Sequence, residues 1–409
     1  MKNEKQRNEE VSWKVDKLKC TGKLKKNEAR KNIMSQESKE PETTNQKLKF
    51  RTQMFKYLLT AIITILVIRP LQAQDPVFSQ PFLSPIYLNP AATGAGDYDL
   101  RFSAIYRRQW WSIPSQISYS AISVDKFMPS LHGGFGLLGT HSTEGYLKKT
   151  GIYGSYAYTI CSGTLSAAEN GDVPRWFASG GLQFGFVQRR IDYSKLVFAD
   201  QLDVDGVIPG SVSSADRAVN SGKWYPDFSA GLFFNYNFND NNRLLLGGSA
   251  HHINRPDESL TNTADSFRSQ LPVRWTGNAM YTYTNPEQTW SYSIAGIVYT
   301  QASHNSFQVG TEVTQNQYDI SLGVWYRGGI NFRNYDAFTV TLSINLAGRG
   351  DGYKVRAGVG HDAPTGQNRY SYTTGSTELG VVWDQSTYDQ ESGNACKPRI
   401  NSKSACPIP

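Results

Sequence analysis

Apolar and polar residues alternate along most of the chain, from residue 98 to residue 383. In the first such segment Phe102 and Tyr106 lie on one face, and Arg101 and Arg107 lie on the other. A period of two residues is the pattern of a β-strand whose two faces meet different surroundings. The pattern predicts fourteen strands, separated by Gly, Pro, Asn and Asp: 98–106, 117–127, 133–143, 150–160, 176–188, 228–238, 243–253, 273–283, 290–298, 305–314, 318–326, 338–346, 353–359 and 379–383.

The length of these strands separates two architectures, a soluble sandwich or propeller and an outer-membrane barrel. Strands of soluble sheets have about 5 or 6 residues, whereas a tilted membrane-spanning strand needs about 9 to 11. Most of the predicted strands have the longer length, and Tyr or Trp recurs at their ends, as at Tyr98, Tyr283 and Trp290. Aromatic girdles of this kind mark the two membrane interfaces of a barrel. The sequence therefore predicts an all-β protein, a transmembrane outer-membrane β-barrel of about 14 antiparallel strands.

A barrel of this size encloses a lumen. The interior of an eight-stranded barrel is filled by its own side chains, and a barrel of 16 to 18 strands contains an open channel. The lumen of a barrel of about fourteen strands is therefore expected to hold a plug or a bound segment of another protein. Polar side chains on the predicted inward faces could hydrogen-bond an incoming protein segment, or they could pair with one another across the lumen. These candidate contacts are Arg101, Arg107, Gln183, Arg189, Arg274 and Asn278.

The basic charge of the chain is confined to its first 73 residues. They contain 17 Lys or Arg and 8 Asp or Glu, whereas residues 74–409 contain 25 and 27. The net charge of +7 therefore gives no reason to expect a nucleic-acid partner for the barrel. Residues 1–53 are polar and charged without apolar periodicity, and they are predicted to form a disordered basic leader.

Residues 54–73 have the order of a secretory signal peptide. Met54-Phe55-Lys56 precedes an apolar run at 57–68, and Leu71-Gln72-Ala73 ends in a small residue suited to cleavage. The apolar run would span about 18 Å as a helix, less than the ~30 Å hydrocarbon core, which argues against a membrane-spanning helix. We expect export by a cleaved signal peptide, with Met54 as the true start of translation.

Three motifs suggest site chemistry, and each has a simpler interpretation. The glycines of residues 134–139 match the spacing of a dinucleotide-binding loop, but no helix follows, so a curved strand is expected. His251 and His252 are neighbours, which on a strand point to opposite faces and cannot bind one metal ion. Residues 200–206 are acidic, but the EF-hand register places Val212 where the bidentate Glu belongs. We expect a solvated loop there, with another kind of calcium site as the alternative.

Catalysis and cysteine chemistry have little support. No Ser-His-Asp, paired-carboxylate or CxxC arrangement appears, so we expect no enzyme activity and no cofactor. Cys161 is interpreted as a plain strand residue rather than a nucleophile. Cys396 and Cys406 lie close enough in a polar tail to form a disulfide in an oxidising compartment.

Two motifs after the predicted cleavage site, at residues 74–80 and 87–94, resemble the start of mature PorP/SprF-family type IX secretion membrane proteins. The resemblance covers essentially residues 74–383, and this chain departs from the pattern in its long leader and in the polar tail at 384–409. The residues that carry it are Gln74, Asp75, Pro76, Leu88, Asn89, Pro90, Ala91, Gly94, Gln109, Trp110, Asp200, Gln201 and His251.

The resemblance implies an outer-membrane barrel that serves secretion and gliding motility. Such a protein would bind, anchor or escort a secreted surface adhesin, or its C-terminal sorting domain, and would contact periplasmic secretion or motor components. The strand pattern alone would equally allow a porin or transporter for small, partly apolar solutes. In either case residues 74–97 are expected as a periplasmic or mouth segment, 98–383 as the barrel and 384–409 as a polar tail.

Overall fold

The computed structural model describes residues 75–96, 98–115, 117–161, 175–191, 196–204, 206–213, 222–259, 269–329, 337–347, 353–365 and 370–385. Contacts divide the chain into residues 1–71 and 72–409, and the first of these units lies outside the described residues. The predictions for the leader, the signal peptide and the C-terminal tail with Cys396 and Cys406 also fall outside them.

Within the described residues, fourteen antiparallel strands close into a barrel, which confirms the predicted fold. Neighbours in the chain are neighbours in the barrel, and β1 closes the ring by pairing with β16 from Leu100–Gln385 to Gln109–Ser376. A separate two-stranded hairpin, β6–β7, lies between β5 and β8 in the chain. The strands are β1 Leu100–Gln109, β2 Ile117–Met128, β3 Gly133–Glu144, β4 Leu147–Cys161, β5 Trp176–Ile191, β6 Leu202–Asp203, β7 Gly206–Val207, β8 Lys223–Asn239, β9 Asn242–His251, β10 Arg274–Thr284, β11 Trp290–Gln301, β12 His304–Gln315, β13 Ile320–Gly329, β14 Ala337–Ala347, β15 Tyr353–Pro364 and β16 Ser376–Gln385.

The outer face of the barrel is apolar. Leu182, Leu232 and Trp275 are 68%, 71% and 61% exposed, whereas Arg101 and Arg107, on the opposite face, are buried. Such a surface suits lipid rather than water. Among the described residues, no helix has the length and hydropathy needed to cross a membrane.

The structure bears on two predictions about single elements. Residues 133–144 form strand β3, so the dinucleotide-loop alternative is excluded for these glycines. Cys161 is the last residue of β4, a strand residue as predicted, and it is disulfide-bonded, which the sequence did not indicate. The other cysteines, at 20, 396 and 406, lie outside the described residues.

The two ends of the barrel differ in the length of their connections. One end, here called the loop end, carries the connections at 110–116, 145–146, 192–222, 252–273, 302–303, 330–336 and 365–375. The other, the turn end, carries those at 129–132, 162–175, 240–241, 285–289, 316–319 and 348–352. The longest connections, between β5 and β8 and between β9 and β10, are both at the loop end.

Candidate functional site in the barrel lumen

Residues 75–96, here called the N-terminal segment, lie inside the barrel. They form three short helical turns, Pro81–Leu83, Pro85–Leu88 and Pro90–Ala92, each with Pro in its first position, where the missing N–H costs nothing. Nearly all of the segment is buried, with Ile86 and Ala91 fully so.

Two apolar clusters join the N-terminal segment to the inner wall. In one, Leu88 and Ala91 belong with Phe177 of β5 and Phe233 of β8. In the other, Phe78, Leu83 and Ile86 belong with inward residues of β1, β3, β5 and β16. Each large apolar side chain removed from water stabilises the docked segment by about 1.5–3 kcal/mol.

Inward glycines let the backbone of the segment lie directly against the wall. A Cβ atom at Gly181 would be 2.4 Å from the amide nitrogen of Ala91, and one at Gly134 would be 2.3 Å from the carbonyl oxygen of Thr93. Both distances are shorter than any real contact of a Cβ atom. Only glycine at these two positions leaves room for the backbone of the segment against the wall.

A charged cluster holds the start of the segment and is called the Asp75 cluster. Its members are Asp75, Lys149, Asp227, His252, Glu258 and Arg274. His252 lies between two carboxylates, with Nε2 2.6 Å from Oδ2 of Asp75 and Nδ1 2.8 Å from Oδ2 of Asp227. Lys149 Nζ is 2.8 Å from Oε1 of Glu258 and 3.5 Å from Oδ1 of Asp75. The buried charges are thus paired, as burial requires.

The pKa values at this cluster follow from the pairing. Burial lowers the pKa of His252, but Asp75 and Asp227 raise it more, so it lies above its ordinary value. Burial raises the pKa of Asp75, but His252 and Lys149 lower it more, to well below its ordinary range. The protonated imidazole and the ionised carboxylate therefore stabilise each other.

Raising the pH is expected to loosen the start of the segment. The contribution of His252 is fully present below the ordinary imidazole pKa of about 6.5 and is lost as pH rises through the raised pKa. The contribution of Asp75 to holding the segment persists until the pH falls through the lowered pKa of its carboxyl group. Hydrogen-exchange protection factors of residues 75–80, corrected for intrinsic rates, should fall with rising pH. The variant His252→Gln should show no such fall, and an identical fall in the variant would contradict the assignment.

A second group, the Glu378 cluster, holds the segment at Ser79 and Gln80. The backbone N–H groups of these two residues donate to the Glu378 carboxylate at 2.7 and 2.6 Å. Arg107 contacts Ser79, Asp362 and Glu378, and Asp362 also accepts the Ser79 hydroxyl at 2.7 Å. Two carboxylates and one guanidinium thus fix one turn of the segment.

A third group, the Asp125 cluster, holds the other end of the segment. The Asp125 carboxylate accepts the Gly94 N–H at 2.7 Å and the Tyr98 hydroxyl at 2.8 Å. It also accepts two hydrogen bonds from Arg101, at 2.9 and 3.0 Å, and Arg101 donates to the carbonyl of Ala92 at 3.2 Å. Bidentate pairs of this kind are among the strong hydrogen bonds of proteins.

The six candidate lumen contacts all face inward, but most are engaged within the chain. Arg101, Arg107 and Arg274 contact the N-terminal segment, and Arg189 contacts Glu258 in the connection after β9. Gln183 and Asn278 are buried, and within the described residues neither side-chain amide nitrogen has a hydrogen-bond partner.

The motif residues of the segment contact the wall largely through their backbone. The carbonyls of Leu88 and Ala91 accept hydrogen bonds from Ser249 and Ser179. Asn89 donates to the carbonyl of Leu232 at 2.8 Å, and its side chain accepts the N–H of Ala91. The Pro76 carbonyl accepts the Tyr87 hydroxyl, and that of Pro90 accepts the Thr93 hydroxyl. Gln74 lies outside the described residues.

The remaining motif residues lie at the loop end. Gln109 ends β1, and Trp110, with a φ of 56°, donates its N–H to the Gly375 carbonyl. Asp200 accepts the Ser213 hydroxyl and Gln201 donates to the Ser211 carbonyl, so both close the connection around β6 and β7.

The expectation that His251 and His252 point to opposite faces is wrong. Strand β9 ends at His251, and His252 has a φ of 59°, so both rings turn into the lumen with centroids 6.4 Å apart. His251 lies 3.2 Å from the Leu88 carbonyl. In the described part of the chain no group of three or more His, Cys, Asp or Glu could hold a metal ion.

The sequence reasoning missed the acidic residues that anchor the segment. Asp125, Asp362 and Glu378 each occupy a buried, inward position of a strand, as the predicted arginine contacts Arg101 and Arg107 do. The signal for them in the sequence is that acidic and basic residues share the inward, polar face of the strands, where they can form ion pairs.

The cavity beside the start of the segment is small. A cavity of about 60 Å³ is lined by Asp75, Tyr87, Gln183, His252 and Arg274, among others. It offers room for roughly two to four water molecules, which would satisfy donors such as the Gln183 amide. Around residues 75–78 and 87 the described lumen therefore has no room for a further polypeptide.

Comparison with known proteins identifies the family. The family described as type IX secretion system membrane protein PorP/SprF matches residues 71–383. The chain belongs to the PorP/SprF family. This agrees with the resemblance of the motifs, and it makes the PorP/SprF barrel a secretion-system membrane protein of the outer membrane rather than a member of an enzyme class.

Solved structures similar to the PorP/SprF barrel include a toluene transporter and a monoaromatic hydrocarbon channel. The Pseudomonas putida toluene transporter TodX has 9% identity and a TM-score of 0.39 over 77% of this chain and 96% of its own. The monoaromatic hydrocarbon channel CymD has 9% identity and a TM-score of 0.42 over 78% and 96%. A Pseudomonas aeruginosa FadL homologue has 12% identity and a TM-score of 0.37 over 72% and 91%. The search of curated proteins finds no match to this sequence.

Proposed function

We propose that this barrel is a non-enzymatic interaction protein of the type IX pathway. It holds or escorts a secreted surface adhesin, or its C-terminal sorting domain, at the outer face of the membrane. Contacts with periplasmic secretion or motor components would couple it to transport and gliding. Family membership supports the pathway, and the occupied lumen supports the role.

The filled lumen is the observation that carries the proposal. The N-terminal segment is fixed by two apolar clusters and three charged clusters, so it occupies the space that a solute channel would need. Any contact between a partner and Arg101, Arg107 or Arg274 would first require the segment to leave. A closed barrel with long connections is better suited to docking than to conduction.

The connection around β6 and β7 is the surface we propose for the secreted partner. Val204, Val207 and Val212 are 99%, 56% and 71% exposed there. Several exposed apolar groups within one connection suit a protein contact site. Asp200 and Gln201 brace this connection, which gives these two motif residues a role in presenting the apolar side chains.

Purification from the native membrane in mild detergent tests this function. We expect a large secreted protein to co-purify with the barrel and the isolated barrel to be silent in planar bilayers. The double variant Val204→Asp, Val212→Asp should lose the partner, while Tyr318→Asp, an exposed residue of a turn-end connection, should keep it. An unaccompanied barrel that conducts ions or small apolar solutes would contradict the proposal and favour a channel.

A further inference from the structure

The N-terminal segment runs through the barrel from one end to the other. At its start, Asp75 lies 3.5 Å from Lys149, the third residue of β4, and within hydrogen-bond distance of Gln301, the last residue of β11. Both neighbours belong to the loop end. Ser79 and Gln80 come next, on Glu378, the third residue of β16.

The second half of the segment ends near the turn end. Asn89 donates to the Leu232 carbonyl in the middle of β8. Gly94 donates to Asp125, the fourth-last residue of β2, near the turn end. The Tyr98 hydroxyl binds the same carboxylate, and β1 begins at Leu100. The two ends of the segment thus lie at opposite ends of the barrel, although Tyr87 and Leu88 return to the level of Arg274 and His251 at the loop end before the chain descends to Gly94.

The lengths of the connections identify the two ends. Outer-membrane barrels have short periplasmic turns and longer extracellular loops. The loop end, with the connections at 192–222 and 252–273, therefore faces the outside of the cell. Strand β1 must then start on the periplasmic side, although the segment before it starts on the other.

We infer that the N-terminal end of the mature chain is displayed at the cell surface, at the loop end, and that the chain enters its first strand only after threading the lumen. Of the two positions expected for the segment, this favours the barrel over a periplasmic contact. The Asp75 cluster then holds the N-terminal segment at the extracellular end of the barrel, and the Asp125 cluster holds it near the periplasmic end. The N-terminus becomes part of the same outer face as the long connections, and an extracellular protein docked there would meet it.

Epitope accessibility in intact cells tests the inference without any cargo. A short epitope is inserted between residues 74 and 75, and matched insertions are made between Ala302 and Ser303 at the loop end and between Asp240 and Asn241 at the turn end. Antibody should bind the first two in intact cells, and the third only after permeabilisation. Binding of the N-terminal epitope only after permeabilisation, as for the turn-end control, would overturn the inference.

Single-cysteine labelling covers the case in which the insertion prevents assembly. Gln74→Cys, Ser303→Cys and Asn241→Cys are each treated with a membrane-impermeant maleimide on intact cells, and the unaltered protein sets the background from its natural cysteines. We expect labelling above background for the first two variants and none for the third. Labelling of Asn241→Cys and Ser303→Cys without Gln74→Cys would equally contradict a surface-exposed N-terminus. Either result is independent of whether an adhesin binds.

Discussion

Replacing both Gly134 and Gly181 by valine is expected to make the barrel conduct ions in planar bilayers, where the unaltered barrel is silent. The new Cβ atoms would lie 2.3 Å from the Thr93 carbonyl oxygen and 2.4 Å from the Ala91 amide nitrogen. Both contacts are with backbone, so no side chain can rotate away. Overpacking of this kind costs about 1–3 kcal/mol at each site, which disfavours the seated segment and should open a path through the lumen.

A matched pair of outward glycines on the same strands supplies the control. Gly139 and Gly180 have no atom closer than 3.9 and 3.7 Å to an added Cβ. Gly139→Val combined with Gly180→Val should therefore leave the barrel silent. Heat-modifiable electrophoretic mobility verifies folding of both double variants. Equal conductance in the two folded variants would show that the segment is not what closes the lumen.

Replacing Glu378 by alanine is expected to release the segment locally. The change removes the acceptor of two backbone N–H groups, those of Ser79 and Gln80, and one of the carboxylates beside Arg107. A buried donor left without a partner costs about 1–3 kcal/mol. Hydrogen-exchange protection of residues 79–80 should fall roughly ten- to hundredfold, because about 1.4 kcal/mol corresponds to a factor of ten.

Two further variants make this result specific. Glu378→Gln keeps one carbonyl acceptor and should show an intermediate loss of protection. Glu287→Ala removes an exposed carboxylate in a turn-end connection and should leave residues 79–80 protected. Unchanged protection in Glu378→Ala would mean that this carboxylate does not hold the segment.

The strand count and the orientation of the strands could be predicted from the sequence because lipid and lumen demand different side chains at alternate positions. Leu182 and Trp275 face outward and Arg101 and Arg274 face inward, as the period of two requires. The predicted start of β8 at 228 was late, since the strand begins at Lys223. Where a strand extends beyond the membrane, its outward residues no longer need to be apolar. The alternation that marks the strand in the sequence is therefore weaker there.

The plug could not be predicted in the same way, because it depends on contacts between distant parts of the chain. Ile105 and Phe233 interrupt the polar face of their strands, and the structure explains both by the apolar clusters around the N-terminal segment. The segment itself has no periodicity, since three prolines break it into single turns. The family motifs indicated that the segment matters. The packing of its backbone against Gly134 and Gly181 could not be predicted, because these glycines are distant from it in the sequence.

The conformation of the segment in the native membrane is the central claim, and photo-crosslinking from within the segment tests it most directly. A photoreactive phenylalanine analogue in place of Phe82 would lie next to Trp325 of β13, whose ring centroid is 6.0 Å from that of Phe82. After irradiation of intact cells, mass spectrometry should find the crosslink within the same chain, to the peptide that contains Trp325. Crosslinks to another protein or to lipid, without the intramolecular product, would contradict a lumen filled by the chain's own N-terminal segment.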